Sequence, residues 1–141
     1  MNPVKNQKPD PKTDPITHKG GCHCGAVRFE LIAPQKVEII ECNCSVCSMS
    51  AYEHVIIPKA DFTLLQGEQV LTSYQFHTKT AKHLFCASCG IKSFYHPRSH
   101  PESVSVNYRC VEPGTVSILK RTPFDGREWK KNIHKLNQDK V

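Results

Sequence analysis

The stretch of sequence that decides the fold is Cys42-Asn43-Cys44-Ser45-Val46-Cys47. It places three thiols within six residues, in the spacing C-x-C-x-x-C. Thiols at such short spacings are typical ligands of zinc, which prefers four soft donors at about 2.3 Å from each sulfur. A zinc ion held by three thiolates keeps one coordination position open, as catalytic and ligand-binding sites require. The central run therefore predicts a metal site that can bind a further ligand.

Two more cysteine pairs flank this run, Cys22-His23-Cys24 before it and Cys86-Ala87-Ser88-Cys89 after it. The second pair is followed by Gly90, which is typical of a zinc knuckle because glycine lets the chain turn back toward the sulfurs. The three motifs contain seven of the eight cysteines, and seven ligands divide as four plus three. Spacing alone leaves open whether Cys22 and Cys24 join the downstream pair or the central run. Either choice predicts two zinc ions per chain, one of them in a closed four-thiolate site.

The three-cysteine site also has a closed alternative, in which the protein supplies the fourth ligand. The candidates for the fourth ligand are His23, His54, His96 and Cys110. If the position is open, a substrate thiol bound there would lose its proton near pH 7 and become a nucleophile. Such a nucleophile suits a reaction that joins sulfur to an electrophilic carbon or releases it.

The remaining cysteine and histidines give weaker signals. Cys110 stands apart from the pairs and is predicted to be a small buried apolar residue. The surface histidines are predicted to be His77, His100 and His134. The loop Tyr95-His96-Pro97-Arg98 combines a histidine with an arginine, so it is a candidate contact for an acidic ligand, with a solvated loop as the alternative.

Composition limits the class of protein. The chain has 141 residues and a formal net charge of +6, from 19 Lys and Arg against 13 Asp and Glu. This excess permits an acidic small molecule or a loose contact with a polyanion but requires neither of them. We find no signal peptide and no apolar run of about 20 residues, which predicts no membrane association and a reducing compartment. The predicted location is the cytoplasm, with the nucleus as the alternative.

The chain is predicted to be mainly β, with one domain over residues 19–130. Residues 1–18 carry four prolines and are expected to form a disordered arm, and residues 131–141 form a tail. The predicted strands are 27–31, 37–41, 54–57, 83–85, 91–95 and 104–106, with a loop or helical turn over 45–51. A hairpin is expected between 62–65 and 70–76, around Gln66-Gly67-Glu68. A capping box, Asp125-Gly126-Arg127-Glu128, predicts a short C-terminal helix through Trp129, Ile133 and Leu136.

With these motifs in view, the chain resembles the glutathione-dependent formaldehyde-activating enzyme family, and within it the centromere protein V branch. The resemblance rests on residues 20–30 (GGCHCGAVRFE), 42–47 (CNCSVC) and 85–95 (FCASCGIKSFY). The Pro97-Arg98-Ser99 that follows is similar to the centromere branch in particular. The resemblance implies a small zinc-bound β fold similar to the Mss4-like group.

The resemblance also implies a division of the cysteines and a reaction. The residues that would hold a structural zinc are Cys22, Cys24, Cys86 and Cys89. The ligands of the second zinc, which would accept the sulfur of glutathione, are Cys42, Cys44 and Cys47. The implied reaction joins formaldehyde and glutathione into S-hydroxymethylglutathione, which is a carbon–sulfur lyase reaction written in reverse. The alternative is a non-catalytic zinc-binding module that contacts protein or chromatin, as in the centromere protein V branch.

Overall fold

The structure, a computed structural model, describes residues 10–75 and 82–126. One α-helix lies in this part of the chain, α1 (Ser45–Ser50). The strands are β1 (Pro15–Gly21), β2 (Arg28–Pro34), β3 (Lys36–Cys42), β4 (His54–Pro58), β5 (Phe62–Gln66), β6 (Leu71–Tyr74), β7 (Lys82–Cys86), β8 (Phe94–His96), β9 (Ser103–Asn107) and β10 (Ser117–Phe124). Short 3₁₀ turns occupy Lys59–Asp61, Glu68–Val70 and Tyr108–Cys110. The prediction of a mainly β fold is confirmed.

The strands form two sheets. The smaller sheet has the order β1-β2-β5, and the larger has the order β10-β3-β4-β9-β8-β7-β6. The pairing of β10 with β3 is parallel, and the other pairings among the described strands are antiparallel. Phe29 of the smaller sheet packs on Phe94 of the larger, with ring centroids 6.0 Å apart. The hydrophobic core therefore lies between the two sheets.

The larger sheet buries both of its faces at its centre. Every residue of β9 is buried, although Val104 and Val106 alternate with Ser103 and Ser105. Because successive side chains of a strand point to opposite faces, the valines join the core and the serines line the other face. We call the second face, which carries His54, His83, Tyr95 and Ser105, the polar face. The candidate site is built on it.

The predicted hairpin around Gln66-Gly67-Glu68 is wrong. β5 pairs with β2 in the smaller sheet, whereas β6 pairs with β7 in the larger. Gly67 has a φ of 100° and is followed by a 3₁₀ turn, which together send the chain from one sheet to the other. Phe76, the predicted end of the second strand, lies outside the described residues.

The N-terminal arm is shorter than predicted, because residues 15–18 belong to β1. β1 pairs with β2 along its full length. His18 is fully buried, with Nδ1 2.7 Å from Thr115 Oγ1 and Nε2 3.1 Å from the Ala33 carbonyl oxygen. These bonds satisfy a polar ring in the interior and fix the start of the domain.

At the other end, β10 was not predicted, and it lies in parallel beside β3. The predicted strand over 91–95 is shorter in the structure, where only Phe94 and Tyr95 of that span belong to β8. The proposed C-terminal helix, with Trp129, Ile133 and Leu136, lies outside the described residues. The boundaries of 19–130 and 131–141 therefore stay predictions.

Candidate metal centre

The structure brings the first and third cysteine motifs together. The ligand atoms of one group all lie within 4.8 Å of one another; its members are Cys22, Cys24, Cys86 and Cys89. The Cys24 Sγ lies 3.6 Å from that of Cys22 and 3.7 Å from that of Cys86. Four sulfurs in such a group match the tetrahedral donor set of a structural zinc site. We call this group the four-cysteine cluster.

Two similar turns present these sulfurs. Gly25 and Gly90 both have positive φ, 84° and 78°, and each donates its N–H to the carbonyl of the first cysteine of its motif, at 3.3 and 2.8 Å. The Val27 N–H lies 3.3 Å from Cys22 Sγ. Burial acts to raise the pKa of Cys89, but hydrogen bonds from the backbone N–H groups of Cys24 and Ile91, together with those from neighbouring thiols, lower the pKa to about 6. The backbone of both turns thus favours thiolates.

The central motif forms a second group, the three-cysteine cluster. Its ligand atoms also lie within 4.8 Å of one another, and they belong to Cys42, Cys44 and Cys47. Cys42 ends β3, Cys44 is the N-cap of α1, and Cys47 lies in the first turn of that helix, where it is buried. The end of a strand and the start of a helix therefore present the three thiols from one side.

The protons of the three thiols are coupled. Hydrogen bonding to Cys42 lowers the pKa of Cys44 and raises that of Cys47, while hydrogen bonding to Cys44 raises the pKa of Cys42. Three thiols at this distance cannot all ionise easily, because each new thiolate repels the others. A divalent cation supplies the positive charge that would keep all three deprotonated. The donor set therefore fits zinc.

His54 is the candidate fourth ligand that comes nearest to the three-cysteine cluster. Its Nε2 lies 3.2 Å from Cys47 Sγ. Its Nδ1 lies 3.0 Å from Ser105 Oγ and 3.3 Å from the Tyr95 hydroxyl. His54 does not belong to the group of ligand atoms within 4.8 Å of one another, so its position is that of a hydrogen-bond partner of one sulfur rather than a fourth donor to a shared ion.

The chemistry of His54 agrees with that role. Burial lowers its pKa to about 3, so the ring is neutral at pH 7. When Cys47 is a thiolate, the Nε2–H of His54 donates to the sulfur and Nδ1 accepts from a hydroxyl. Hydrogen bonds of this kind orient a metal ligand and tune its basicity. The residue thus supports Cys47.

The other candidate fourth ligands lie elsewhere. His23 is exposed on the turn of the four-cysteine cluster. Cys110 is only partly buried, and its pKa is raised to about 11 by burial and then by Cys22 and Cys89, which are members of that same cluster. His96 Nδ1 is buried without a hydrogen-bond partner among the described residues. None of these residues joins the three-cysteine cluster in the part of the chain that the structure describes.

The surface prediction for His100 is wrong. The side chain is 4% exposed, and its Nδ1 lies 2.7 Å from Ser99 Oγ. In the neighbouring loop Tyr95 is buried as well, so the loop is packed rather than solvated at its start. His77 and His134 lie outside the described residues.

The sequence did not predict a cluster of aromatic side chains around one lysine beside the polar face. The Lys92 Nζ lies 3.9 Å from the Tyr95 ring centroid and 4.7 Å from that of Tyr52. It also lies 2.6 Å from His83 Nδ1, and the His83 ring stacks on Tyr95. The strand order β4-β9-β8-β7 aligns these residues, with Tyr95 opposite both Ser105 and His83. No local pattern marks them, because their contacts arise from pairing of distant strands.

Gly126 packs directly on the three-cysteine cluster. A Cβ placed on it would lie 2.4 Å from Cys42 Sγ and 3.1 Å from Cys44 Cβ. The parallel pairing of β10 and β3 brings it there, since Phe124 is opposite Cys42 and its carbonyl accepts from the Asn43 N–H at 3.2 Å. The sequence suggested a helix cap at this glycine and gave no sign of this contact.

An open groove runs along the exposed side of α1. It has a volume of about 290 Å³, and its lining comes from Ser45, Val46, Met49, Ser50 and Tyr74. Met49 is 90% exposed. The groove lies along the helix that carries Cys47, whose own side chain is buried.

Comparison with known proteins adds a family to this geometry. The family model described as "Glutathione-dependent formaldehyde-activating enzyme" matches residues 17–126, a span that includes both cysteine clusters. The "Putative glutathione-dependent formaldehyde-activating enzyme" of Halomonas elongata is 30% identical over 94 residues, which are 61% of this chain and 60% of that protein. The matched region is therefore less than two thirds of that relative's length.

A solved structure shares the fold. A crystal structure of a Rhodobacter sphaeroides protein matches with a TM-score of 0.62 and 35% sequence identity. The match covers 74% of this chain and 99% of that chain. In the described part of this protein, no helix has the length and apolar character needed to cross a membrane.

Proposed function

Because this chain belongs to the glutathione-dependent formaldehyde-activating enzyme family, we propose that it joins formaldehyde to the thiol of glutathione. The product is S-hydroxymethylglutathione, and the reverse reaction is that of a carbon–sulfur lyase. The observation that carries the proposal is the three-cysteine cluster, which gathers three thiols without a fourth donor from the described residues. An open position beside three thiolates is where a substrate sulfur would bind.

The proposed cofactor is zinc, with two ions per chain. A structural ion would be held by Cys22, Cys24, Cys86 and Cys89. The second ion would be held by Cys42, Cys44 and Cys47. When bound there, zinc lowers the pKa of a thiol ligand so that it is a thiolate near pH 7.

The chain's own residues position this chemistry. His54 holds Cys47 through its Nε2 at 3.2 Å, and Ser105 and Tyr95 fix the other side of the ring. The groove along α1 offers room for the peptide part of glutathione. In the reaction the thiol loses its proton, its sulfur attacks the carbonyl carbon, and the carbonyl oxygen takes up a proton as the C–S bond forms.

The metal count tests this proposal most simply. Native mass spectrometry of the full chain should show two zinc ions and, after addition of glutathione, an adduct that appears only when the second zinc is present. Cys47→Ser should lose the second zinc and the adduct together. Cys110→Ser is the matched control, because Cys110 belongs to neither cluster, and it should keep both.

Two outcomes would contradict the proposal. A single zinc in the wild-type protein would mean that the central run is not a metal site. Two firmly held zinc ions with no thiol adduct would favour a non-catalytic module that contacts protein or chromatin. The centromere protein V branch, a nucleic-acid or cytoskeletal partner and a cytoplasmic or nuclear location stay predictions.

Turnover requires a separate measurement. Formaldehyde and glutathione also combine without an enzyme, so the rate at which S-hydroxymethylglutathione forms must be compared with that of a reaction lacking protein. The wild-type protein should accelerate the formation of S-hydroxymethylglutathione, and with Cys47→Ser the rate should equal that measured without protein.

A further inference from the structure

Lys92 is a half-buried cation that has no acidic partner among residues 10–75 and 82–126. Its Nζ rests on the faces of Tyr95 and Tyr52 and donates to His83 Nδ1. The ion pairs of the described residues involve other basic side chains, Arg28, Arg109, Lys120 and Arg121, and none reaches Lys92. A buried ammonium is costly unless negative charge lies close by. The structure must therefore supply that charge by other means.

The three-cysteine cluster is the source of negative charge that acts on Lys92. A chain of contacts connects Lys92 with this cluster through Tyr95, on whose ring Lys92 rests. The Tyr95 hydroxyl lies 3.3 Å from His54 Nδ1, and His54 Nε2 lies 3.2 Å from Cys47 Sγ. Tyr52 packs on His54 as well, with ring centroids 4.6 Å apart. Burial lowers the pKa of Lys92 to about 8, while the thiolates of Cys47, Cys44 and Cys42 act to raise it. The side chain therefore remains charged near pH 7.

A count of charges shows why the cluster needs this cation. Three thiolates and one divalent ion carry a net charge of −1, and a fourth thiolate from a substrate makes it −2. A neutral fourth ligand leaves the charge at −1. In a partly buried site the second negative charge is unfavourable unless a fixed positive charge offsets it.

We propose that Lys92 is a specificity-determining residue that lets the three-cysteine site hold an incoming sulfur as a thiolate and so favours thiolates over neutral ligands. The inference rests on the proposed function, because it assumes that a substrate sulfur binds at this cluster. His83 is the positioning residue for the ammonium, since its Nδ1 accepts from Lys92 at 2.6 Å and its ring stacks on Tyr95.

The test compares charged and neutral ligands on the full chain loaded with cobalt(II). Glutathione, 2-mercaptoethanol and imidazole are titrated into the wild-type protein, and the visible absorption of cobalt follows binding. The variants are Lys92→Met, Lys92→Arg and, as a control for the loss of one lysine elsewhere in the domain, the exposed Lys82→Met in β7. If Lys92→Met fails to keep the second cobalt, Lys92→Gln gives the same comparison with a polar side chain.

The expected result is a selective loss. Lys92→Met should bind both thiols more weakly by about tenfold or more, which is the usual effect of removing an opposite charge that interacts with an ionised group. Its affinity for imidazole should stay within about twofold of the wild-type value, because that ligand adds no charge. Lys92→Arg should keep most of the thiol affinity, and Lys82→Met should behave like the wild type.

Several results would overturn the inference. Equal thiol affinities in Lys92→Met and the wild type would show that the charge is not used, and an equal loss for thiols and imidazole would show a general structural role. A loss for glutathione without a loss for 2-mercaptoethanol would place Lys92 against a glutathione carboxylate instead. If the wild-type protein bound no thiol at all, the proposed function itself would fail.

Discussion

Gly126→Ala should weaken metal binding at the three-cysteine cluster and leave metal binding at the four-cysteine cluster unchanged. The added Cβ would lie 2.4 Å from Cys42 Sγ and 3.1 Å from Cys44 Cβ. An ordinary van der Waals contact needs at least about 3.4 Å, so the Cys42 sulfur must move by about 1 Å. Strain of this kind costs about 1–3 kcal/mol, which in a domain of this size lowers Tm by roughly 4–12 °C.

Competition with a chelator and thermal unfolding measure the two consequences. In Gly126→Ala the second zinc should be lost at a lower chelator concentration, while the first zinc stays bound. The same substitution in a Cys42→Ala background should lower Tm by much less, because the sulfur that it strikes has been removed. The fall in Tm should therefore depend on Cys42, as a double-mutant cycle can show.

Additive effects of Gly126→Ala and Cys42→Ala on Tm would refute the reasoning. If Gly126→Ala lowered Tm equally with and without the Cys42 sulfur, the contact would not be the cause. Unchanged retention of both zinc ions would likewise mean that Gly126 does not fix the position of Cys42.

Three further predictions concern the two clusters and the polar face. Cys24→Ser should lower Tm far more than the control Cys110→Ser, because the metal of a closed site is coupled to folding by about 10 kcal/mol or more; similar Tm values would argue against that site. His54→Ala should weaken retention of the second zinc by about 10- to 100-fold, which a zinc competition assay would detect, and full retention would contradict the role given to His54. His83 has its pKa lowered from 6.5 to about 4, chiefly by burial, so the unfolded chain binds the proton more readily and stability should fall as the pH drops from about 6.5 to about 4. Denaturant unfolding of His83→Gln should show a shallower fall over that range, and equal slopes would be evidence against a neutral buried His83.

The cysteine clusters illustrate what local sequence can predict. The pairs Cys22/Cys24 and Cys86/Cys89 are recognisable because two ligands on one tight turn must be close in sequence. Their partnership depends on 61 intervening residues between the two motifs, and no spacing rule reaches that far. The family resemblance implied the grouping, and the structure brings those four sulfurs together.

Strand partners were harder to predict than strands. Strands were predicted at 27–31 and 62–65, where β2 and β5 lie, yet the hairpin prediction failed at Gly67. A turn with positive φ can lead either to a neighbouring strand or to another sheet. Two strands were missed altogether. β1 has a buried histidine in a proline-rich context, and its stability comes from the distant Thr115 and the backbone of β2.

The supporting residues of the site could not be predicted for the same reason. His54 is 7 residues from Cys47, but Tyr95 and Ser105 are 41 and 51 residues from His54. Lys92 lies in a short run that the sequence marks only as a strand after the knuckle. Its contacts with Tyr52 and His83 exist because β7, β8, β9 and β4 lie side by side. Pairing of distant strands, which local pattern does not contain, decides these neighbours.

The most direct test of the central claim is ¹¹³Cd NMR of the protein with cadmium in place of zinc, before and after addition of glutathione. The account predicts two resonances, one from a four-sulfur site that does not move and one from a three-sulfur site. On addition of glutathione the second resonance should shift toward the four-sulfur position, because a substrate thiolate fills the open place beside Cys42, Cys44 and Cys47. If the second resonance lay at the four-sulfur position before glutathione was added, or did not shift when it was added, an open thiol-binding site would be contradicted.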